Sequence, residues 1–456
     1  MVNGESNGSA LKSFYDQNGK LRSVIRNEQF YFQSGITWND ITISAFSARL
    51  VPEGFLCNAA GPMIYSENQT LLLGMLNSTV NGLIAGFLAP IFQFEVGTVG
   101  LIPIPEPEDV GCTWEPIVNE AVKTTQTDWD NFETSWDFGD LPLLRAELKT
   151  TLLESSWRNW EVQSTAAIRR MQELETENNR LFITAYGLVG ELQPEVPEEQ
   201  ITLARADARR DMAAFLSYTV GCMMGRYSLD HPGLILANAG DSLREFLAKV
   251  ERPQEQLSFA PDEDGIIPVL DGEWFEDDIV ARTRDFLRAT FGDATLEANI
   301  RFMEESLGKD IRKYFLTDFY KNHLQTYKKR PIYWLFQSPK KSFSALVYLH
   351  RYTKDTPNRL RSSYLRDYLH KLRAHLEHLE HLMASESTPP REVTKSRKES
   401  DQIRKAIRDC EEYEREILLP LAQRRVELDL DDGVKVNYLK LGAALATIPG
   451  LAAQED

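Results

Sequence analysis

The 456 residues lack most of the short signatures that announce a chemistry. No G-x-G triplet occurs, which excludes the glycine fingerprint for dinucleotides and a glycine-rich loop for S-adenosylmethionine. There is no phosphate loop of the G-x4-G-K-[ST] type and no H-E-x-x-H. The one Pro-Pro pair, Pro389–Pro390, sits in TPPR, so the Asn/Asp-Pro-Pro element that accepts hydrogen bonds from an amine under methylation is missing. No catalytic residue can be named. Cysteine is scarce: Cys57, Cys112, Cys222 and Cys410 lie far apart without a C-x-x-C pair. That argues against a disulfide framework and a cysteine zinc site, and for a reducing compartment. The start, MVNGESNGSALKSF, has no apolar signal core, so a cytoplasmic location is expected. From Asn68 to Phe94 there is no charge, but polar residues and Pro90 interrupt the run and no Lys/Arg cluster flanks it. It reads as a buried core helix followed by a strand, not as a membrane span.

What the chain does have is a positive island in a negative protein. Between Lys309 and Arg373 there are 16 Lys and Arg against four Asp, a net of +12. The whole chain carries −17, which leaves −29 for the remainder. The island is laced with Tyr314, Phe315, Phe319, Tyr320, Tyr327, Tyr333, Trp334, Phe336, Tyr348, Tyr352, Tyr364 and Tyr368. Cationic charge beside flat rings suits a polyphosphate backbone, through counterion release and stacking on bases. A solvated basic face over an aromatic core, or a contact with an acidic protein, fits the same composition.

The pattern predicts an α+β chain: a mixed strand and helix region followed by predominantly helical regions. Residues 1–20 read as a flexible lead-in. Short strand-like runs (IRNEQFYF, GITWNDITISAFSARLV, GFLCNAAGPMIY) follow, then a helix over Leu71–Leu88 and strand over IFQFEVGTVGLIPIP. A proline-rich exit places a boundary near residue 106. Residues 107–250 read as a helical connecting domain, with helices over Pro116–Thr127, Leu143–Tyr186 and Glu198–Tyr227. Trp129, Trp136, Trp157 and Trp160 are expected in its core. The polar stretch Glu251–Gly265 reads as a linker. In the basic domain, 266–456, helices are expected near Asp277–Phe291, Leu296–Leu307 and Ile311–Tyr327. A strand or hairpin over Ile332–Leu349 follows, then an antiparallel pair of helices, Pro357–Ser385 and Arg391–Gln423, joined by SESTPP.

His375, His378 and His381 recur every third residue, with Glu377 and Glu380 between them. At 3.6 residues per turn only two of the three imidazoles can meet one ion, so a solvated helix face is the reading and no metal is expected. The acidic runs Asp262–Asp264, Asp277–Asp278 and Asp429–Asp432 lack calcium-loop spacing and read as turns.

Several segments in one order resemble the bacteriophage-exclusion (BREX) adenine-specific DNA methyltransferases, the PglX family. They are FYFQSGITW (30–38), AFSAR (45–49), LGMLNS (73–78), FQFEVGTVGLIPIP (92–105), DWDNFETSWDF (128–138), IIPVLDGEWFEDD (266–278), YKKRPIYWLF (327–336), YLHRY (348–352) and LDLDDGVKVNY (428–438). The resemblance runs from about residue 20 onward and implies the C-terminal half of such a protein. Residues 21–106 would be the later part of a DNA target-recognition (specificity) domain. It also implies that the methyltransferase domain, with its S-adenosylmethionine loop, lies outside this chain, so that no cofactor is bound here and the chain is not active alone. Adenine-N6 methylation, phage defence, and partnership with a methyltransferase half or other BREX components belong to the family as a whole.

In that light the island and the first strands become candidates for double-stranded DNA. Lys328, Lys329 and Arg330 cluster at an expected helix C-terminus, where the helix dipole alone would also favour cations. Lys340, Lys341 and Arg351 are further candidates. On the first strand pair, Thr37, Asn39, Thr42, Ser44, Ser47 and Arg49 can meet phosphates or base edges, Arg49 by a two-pronged contact with guanine. An interaction scaffold of the defence complex, with its basic face on an acidic partner, is the rival reading. Phage proteins that mimic DNA would use the same face.

Overall fold

The computed structural model describes residues 9, 12–22, 27–42, 46–58, 60–89, 93–111, 113–385 and 387–451. The chain folds as two compact units: residues 1–128 with 165–204, and residues 129–164 with 205–456. Helices dominate, with two small antiparallel sheets, so the α+β expectation holds.

In the first unit, strands β1 (Gly35–Trp38), β2 (Ala48–Val51) and β3 (Met63–Ile64) pair antiparallel in the order β2-β1-β3. Ile36 and Trp38 alternate onto the buried face, and the Trp38 indole N–H donates to the Phe94 carbonyl at 2.7 Å. The expected single helix over 71–88 is two: α1 (Gln69–Leu76) and α2 (Thr79–Leu88), bent by 72°. The break has a cause. The Asn77 amide accepts from Ala48 N–H at 2.9 Å and donates to the Ala48 carbonyl at 3.1 Å, standing in for a strand neighbour of β2. Ser78 then restarts the helix by accepting from Asn81 N–H, as an N-cap does. Among the described residues no single helix is long and apolar enough to cross a membrane; this bent pair alone meets the length and composition criteria, and α1 is buried from Leu71 to Leu76. Among the described residues of IFQFEVGTVGLIPIP, from Gln93 onward, the expected strand is not formed. Gln93 makes one bridge to Ile41, and Val96–Val99 is a short helix, α3. The described part of IRNEQFYF, from Asn27, holds a helical turn, Glu28–Phe30.

Helix α4 (Trp114–Trp129) follows. The 33-residue α5 (Leu153–Ala185) gives its first part to the second unit and its later part to the first. There Phe182 and Ile183 join the core of Trp38, Leu71 and Met75. Gly74 is glycine for a reason: a Cβ there would meet Val118 Cγ2 at 2.8 Å and Asn178 Oδ1 at 2.9 Å.

The second unit is built on a sheet that divides two cores. Strands β5 (Tyr333–Gln337) and β6 (Ser344–Tyr348) form the expected hairpin, with Tyr333 opposite Tyr348 and Gln337 opposite Ser344. Strand β4 (Ile266–Pro268) pairs with the other side of β6. Residues two apart share a face. Tyr333, Leu335, Leu346 and Tyr348 face one core, built with α6 (Ala208–Met223), α7 (Ile279–Phe291) and α8 (Leu296–Leu307). Trp334, Phe336, Ala345 and Val347 face the other, built with the C-terminal helices. Burial on both faces explains why the strands are almost wholly apolar in sequence. Helix α9 (Tyr320–Thr326) leads into the hairpin. The C-terminal pair, α10 (Arg366–Ala384) and α11 (Pro390–Glu412), is antiparallel: Arg373 meets Glu411 and Glu380 meets Arg404, rising in one helix as the other falls. The supposed linker 251–265 is part of this unit: Phe259 enters the core and Asp262 Oδ1 accepts from Gly265 N–H at 2.7 Å.

A candidate nucleic-acid surface

The aromatics of the basic island do not offer rings for stacking. Tyr314, Phe315, Phe319, Tyr333, Trp334, Phe336, Tyr348, Tyr352, Tyr364 and Tyr368 are all buried, and Tyr320 and Tyr327 are partly so. They are the walls of the two cores. Much of the island's charge is also spent locally. Lys309 pairs with Asp318, Arg312 with the buried Asp278 at 2.9 Å, Arg361 with Glu414 at 2.6 Å, and Lys371 with Asp367 at 2.8 Å.

Arg351 requires a correction. It is 6% exposed, and its guanidinium donates to the carbonyls of Asp262 at 2.7 Å and Glu263 at 2.5 Å, with Met224 at 3.4 Å. Its chain lies 3.2 Å from where a Cβ of Gly265 would stand, which fits glycine at that left-handed position. It clamps the 260s loop and is not available to a phosphate.

Two basic turns remain, at opposite ends of β5. After α9, Lys328 and Lys329 both take left-handed backbone angles (φ 49° and 62°), and Lys329 N–H closes the helix end on the Leu324 carbonyl at 2.7 Å. The chain is then fixed from below. His323 Nε2 accepts from the N–H groups of both Ile332 and Tyr333 at 3.1 Å. Burial, aided by the nearby Arg226 charge, pushes the His323 pKa down to about 3, so the ring stays a neutral acceptor. Lys328, Lys329 and Arg330 are exposed above this anchor.

At the far end, Lys340 and Lys341 cap the β5–β6 hairpin, both exposed, with Lys341 at φ 63°. This turn is held by one carboxylate from α11. Asp409, 1% exposed, accepts from Ser338 Oγ at 2.6 Å, Lys340 N–H at 3.0 Å and Ser342 N–H at 3.2 Å.

Asp409 also joins the turn to charge that the sequence reading missed. Arg391, Lys395, Lys398 and Lys405 are exposed and recur at helical spacing on α11, and Arg408 directly precedes Asp409. Of the acids among them, Glu399 pairs with His375 at 2.8 Å and Asp401 with Arg404 at 3.2 Å, while Glu392 stays exposed in the first turn. From Arg391 to Lys405, 14 positions on, the stripe is about 21 Å long. Its signal, an i, i+4, i+7 cation spacing, was hidden because net charge averages to little over this helix.

In the first unit, Thr37, Arg49 and Met63 lie in one row across β2-β1-β3. The Thr37 hydroxyl is spent on the Pro62 carbonyl at 2.9 Å. Arg49 is exposed, and its guanidinium donates to Asn39 Oδ1 at 3.1 Å rather than to a carboxylate. Ser47 is exposed; Thr42 is half-buried and partnered; Ser44 lies outside the described residues. Of the four tryptophans expected in a core, Trp160 is buried and Trp157 half-buried with its indole N–H on Asp211 at 3.0 Å. Trp129 and Trp136 instead stand 60% and 86% exposed. The histidine run is a helix face: His375 Nε2 meets Glu399, and among the described residues no cluster of three or more His, Cys, Asp or Glu has the geometry to hold a metal ion.

No protein-family model matches the chain. It is 32% identical over 490 aligned positions to an adenine-specific methyltransferase, BrxX, of Escherichia coli O9:H4 (strain HS), covering 99% of this chain and 39% of that protein. It is 33% identical over 464 positions to an adenine-specific methyltransferase, PglX, of Lacticaseibacillus casei (strain Zhang), covering 97% and 37%. The chain thus spans under two fifths of the length of these curated relatives, and along nearly its whole length its homologues are adenine-specific methyltransferases of the BrxX and PglX kind.

Proposed function

We propose that the chain is the DNA-recognition and C-terminal portion of a BREX adenine-N6 DNA methyltransferase, gripping duplex DNA while methyl transfer takes place on another part of the protein. The observation that carries this is the set of exposed cations outside any ion pair, Lys340, Lys341, Arg408, Lys405, Lys398 and Lys395, on a turn and a helix that Asp409 joins, with the Lys328–Arg330 turn as a second contact. Cations of this kind bind phosphates without regard to sequence. Arg49, held by Asn39 on an exposed strand row, is the candidate for reading a base edge. The chain's own residues do not fit S-adenosylmethionine. Both sheets are antiparallel, and among the described residues no glycine-rich loop leads from a strand into a helix as a cofactor cradle of the Rossmann kind requires. The cofactor and a flipped adenine are therefore assigned to the remainder of the full-length protein. Other BREX components and DNA-mimicking phage proteins are its expected partners in the cytoplasm.

The test is duplex binding by the purified chain across a salt series. Affinity should fall log-linearly with salt, each phosphate contact contributing about 0.9 to the slope. Replacing Lys395, Lys398 and Lys405 with Ala should lower the slope and weaken all sequences alike. Arg49→Ala should instead flatten a preference among sequences. Absence of duplex binding at low salt, with the chain folded, overturns the reading.

A further inference from the structure

Nine buried side-chain polar atoms among the described residues have no hydrogen-bond partner, and five of them gather in one place in the second unit: Glu133 Oε2, His323 Nδ1, Tyr327 OH, Tyr333 OH and His350 Nδ1. Their rings form a connected chain. His323 lies 4.8 Å from Tyr327 and stacks at 4.8 Å on Tyr333; Tyr333 is 5.6 Å from Tyr348, and Tyr348 is 5.0 Å from His350. At the centre is the buried guanidinium of Arg226. Its Nε donates to Tyr227 OH at 3.1 Å and one terminal nitrogen to Tyr348 OH at 3.4 Å, leaving further N–H groups unassigned. Glu133 is fixed by one oxygen, which accepts from Ser217 Oγ at 2.5 Å; the other oxygen, in the field of Arg226, accepts nothing.

The hydrogen-bond inventory defines what belongs there. His323 Nε2 already accepts two backbone N–H groups, so its proton is on Nδ1 and points into the cluster as a donor. Spare Arg226 N–H groups and two phenols are also donors, while Glu133 Oε2 and the phenol oxygens accept. Leaving five such groups unmade would cost as much as a domain's whole net stability. Molecules that both donate and accept answer this mixed set.

We propose that the space bounded by Arg226, Glu133, His323, Tyr327 and Tyr333 is a hydrated chamber, whose ordered water molecules bridge the Arg226 guanidinium to the Glu133 carboxyl. The water is structural. It ties the 129–138 segment to α9 and to β5, the framework beneath the Lys328–Arg330 turn. This site stands independently of whether the chain binds DNA.

The sign of a stability change tests it in the full chain. Tyr327→Phe and Tyr333→Phe each delete one hydroxyl and keep the ring. If water fills the chamber, each lowers the melting temperature, because a satisfied group is lost and a water left short of a partner. If the hydroxyls are truly unpartnered, phenylalanine leaves the melting temperature unchanged or raises it, and the proposal fails. A crystal structure should show ordered solvent within hydrogen-bond distance of at least three of the five atoms. An empty chamber, or an anomalous peak there after a bromide soak, marking an anion in place of water, would overturn it.

Discussion

Replacing Asp409 with Ala tests most directly how the basic surface is held. The carboxylate receives three hydrogen bonds from the hairpin turn and is 1% exposed, so alanine deletes all three and leaves two amide N–H groups and a hydroxyl facing a cavity. Hydrogen bonds to a charged acceptor contribute roughly 1.5–3 kcal/mol each. The turn reaches solvent at Lys340 and can recover part of this from water, which brings the expected loss to about 3–5 kcal/mol. Asp409→Asn keeps the shape and an acceptor oxygen but turns an NH2 toward donors, for a loss of about 2 kcal/mol. Urea unfolding followed by tryptophan fluorescence is a suitable assay, because buried Trp334 lies in β5, the strand that leads into this turn. Duplex binding by the Asn variant should weaken as Lys340 and Lys341 lose their fixed place beside α11. A loss below about 1 kcal/mol for Ala would refute the reasoning, since it would mean that the turn stands without the carboxylate.

His323 makes stability depend on acid. Its folded pKa of about 3 lies below the ordinary 6.5, so between these values the folded state binds fewer protons than the unfolded one. Its contribution is complete above about pH 6.5 and is lost as pH falls toward 3. Melting curves from pH 7 to 4 should therefore fall less steeply for His323→Gln than for the parent; parallel curves would remove the histidine from this role. Arg351→Met should cost about 2–4 kcal/mol in urea unfolding by freeing the carbonyls of Asp262 and Glu263, with duplex affinity of the folded variant unchanged. A fall in affinity would restore Arg351 to the surface. Gly74→Ala should destabilise by about 1–3 kcal/mol, because its Cβ enters the space of Val118 and Asn178; a neutral melting temperature would show that α1 and α5 can separate at no cost.

Local pattern carried far where one element answers to its own residues. Leu296–Leu307 and the hairpin at 332–349 form as the periodicity predicts, because each buries one stripe or two alternating faces. The reading failed where a distant group intervenes. Asn77 breaks a continuous apolar helix by bonding to a strand 29 residues earlier. Arg351 looks like any surface cation until the 260s loop closes around it. Trp129 and Trp136 have the composition of core residues, yet their positions on the fold leave them to solvent.

For the site, the amino-acid order by itself determined the charge, a net +12 between Lys309 and Arg373 in an acidic chain, and the absence of a G-x-G triplet. It also determined the kinship, through many short segments in one order. Which cations are available was decided only by the tertiary structure. Ion pairs and carbonyl clamps are made between residues tens to over a hundred positions apart, and they consume some charges while leaving Lys340, Lys341 and the α11 stripe unpaired. A buried carboxylate, Asp409, then brings the turn and the stripe together, because only an acceptor from another element can satisfy the turn's inward-facing N–H groups.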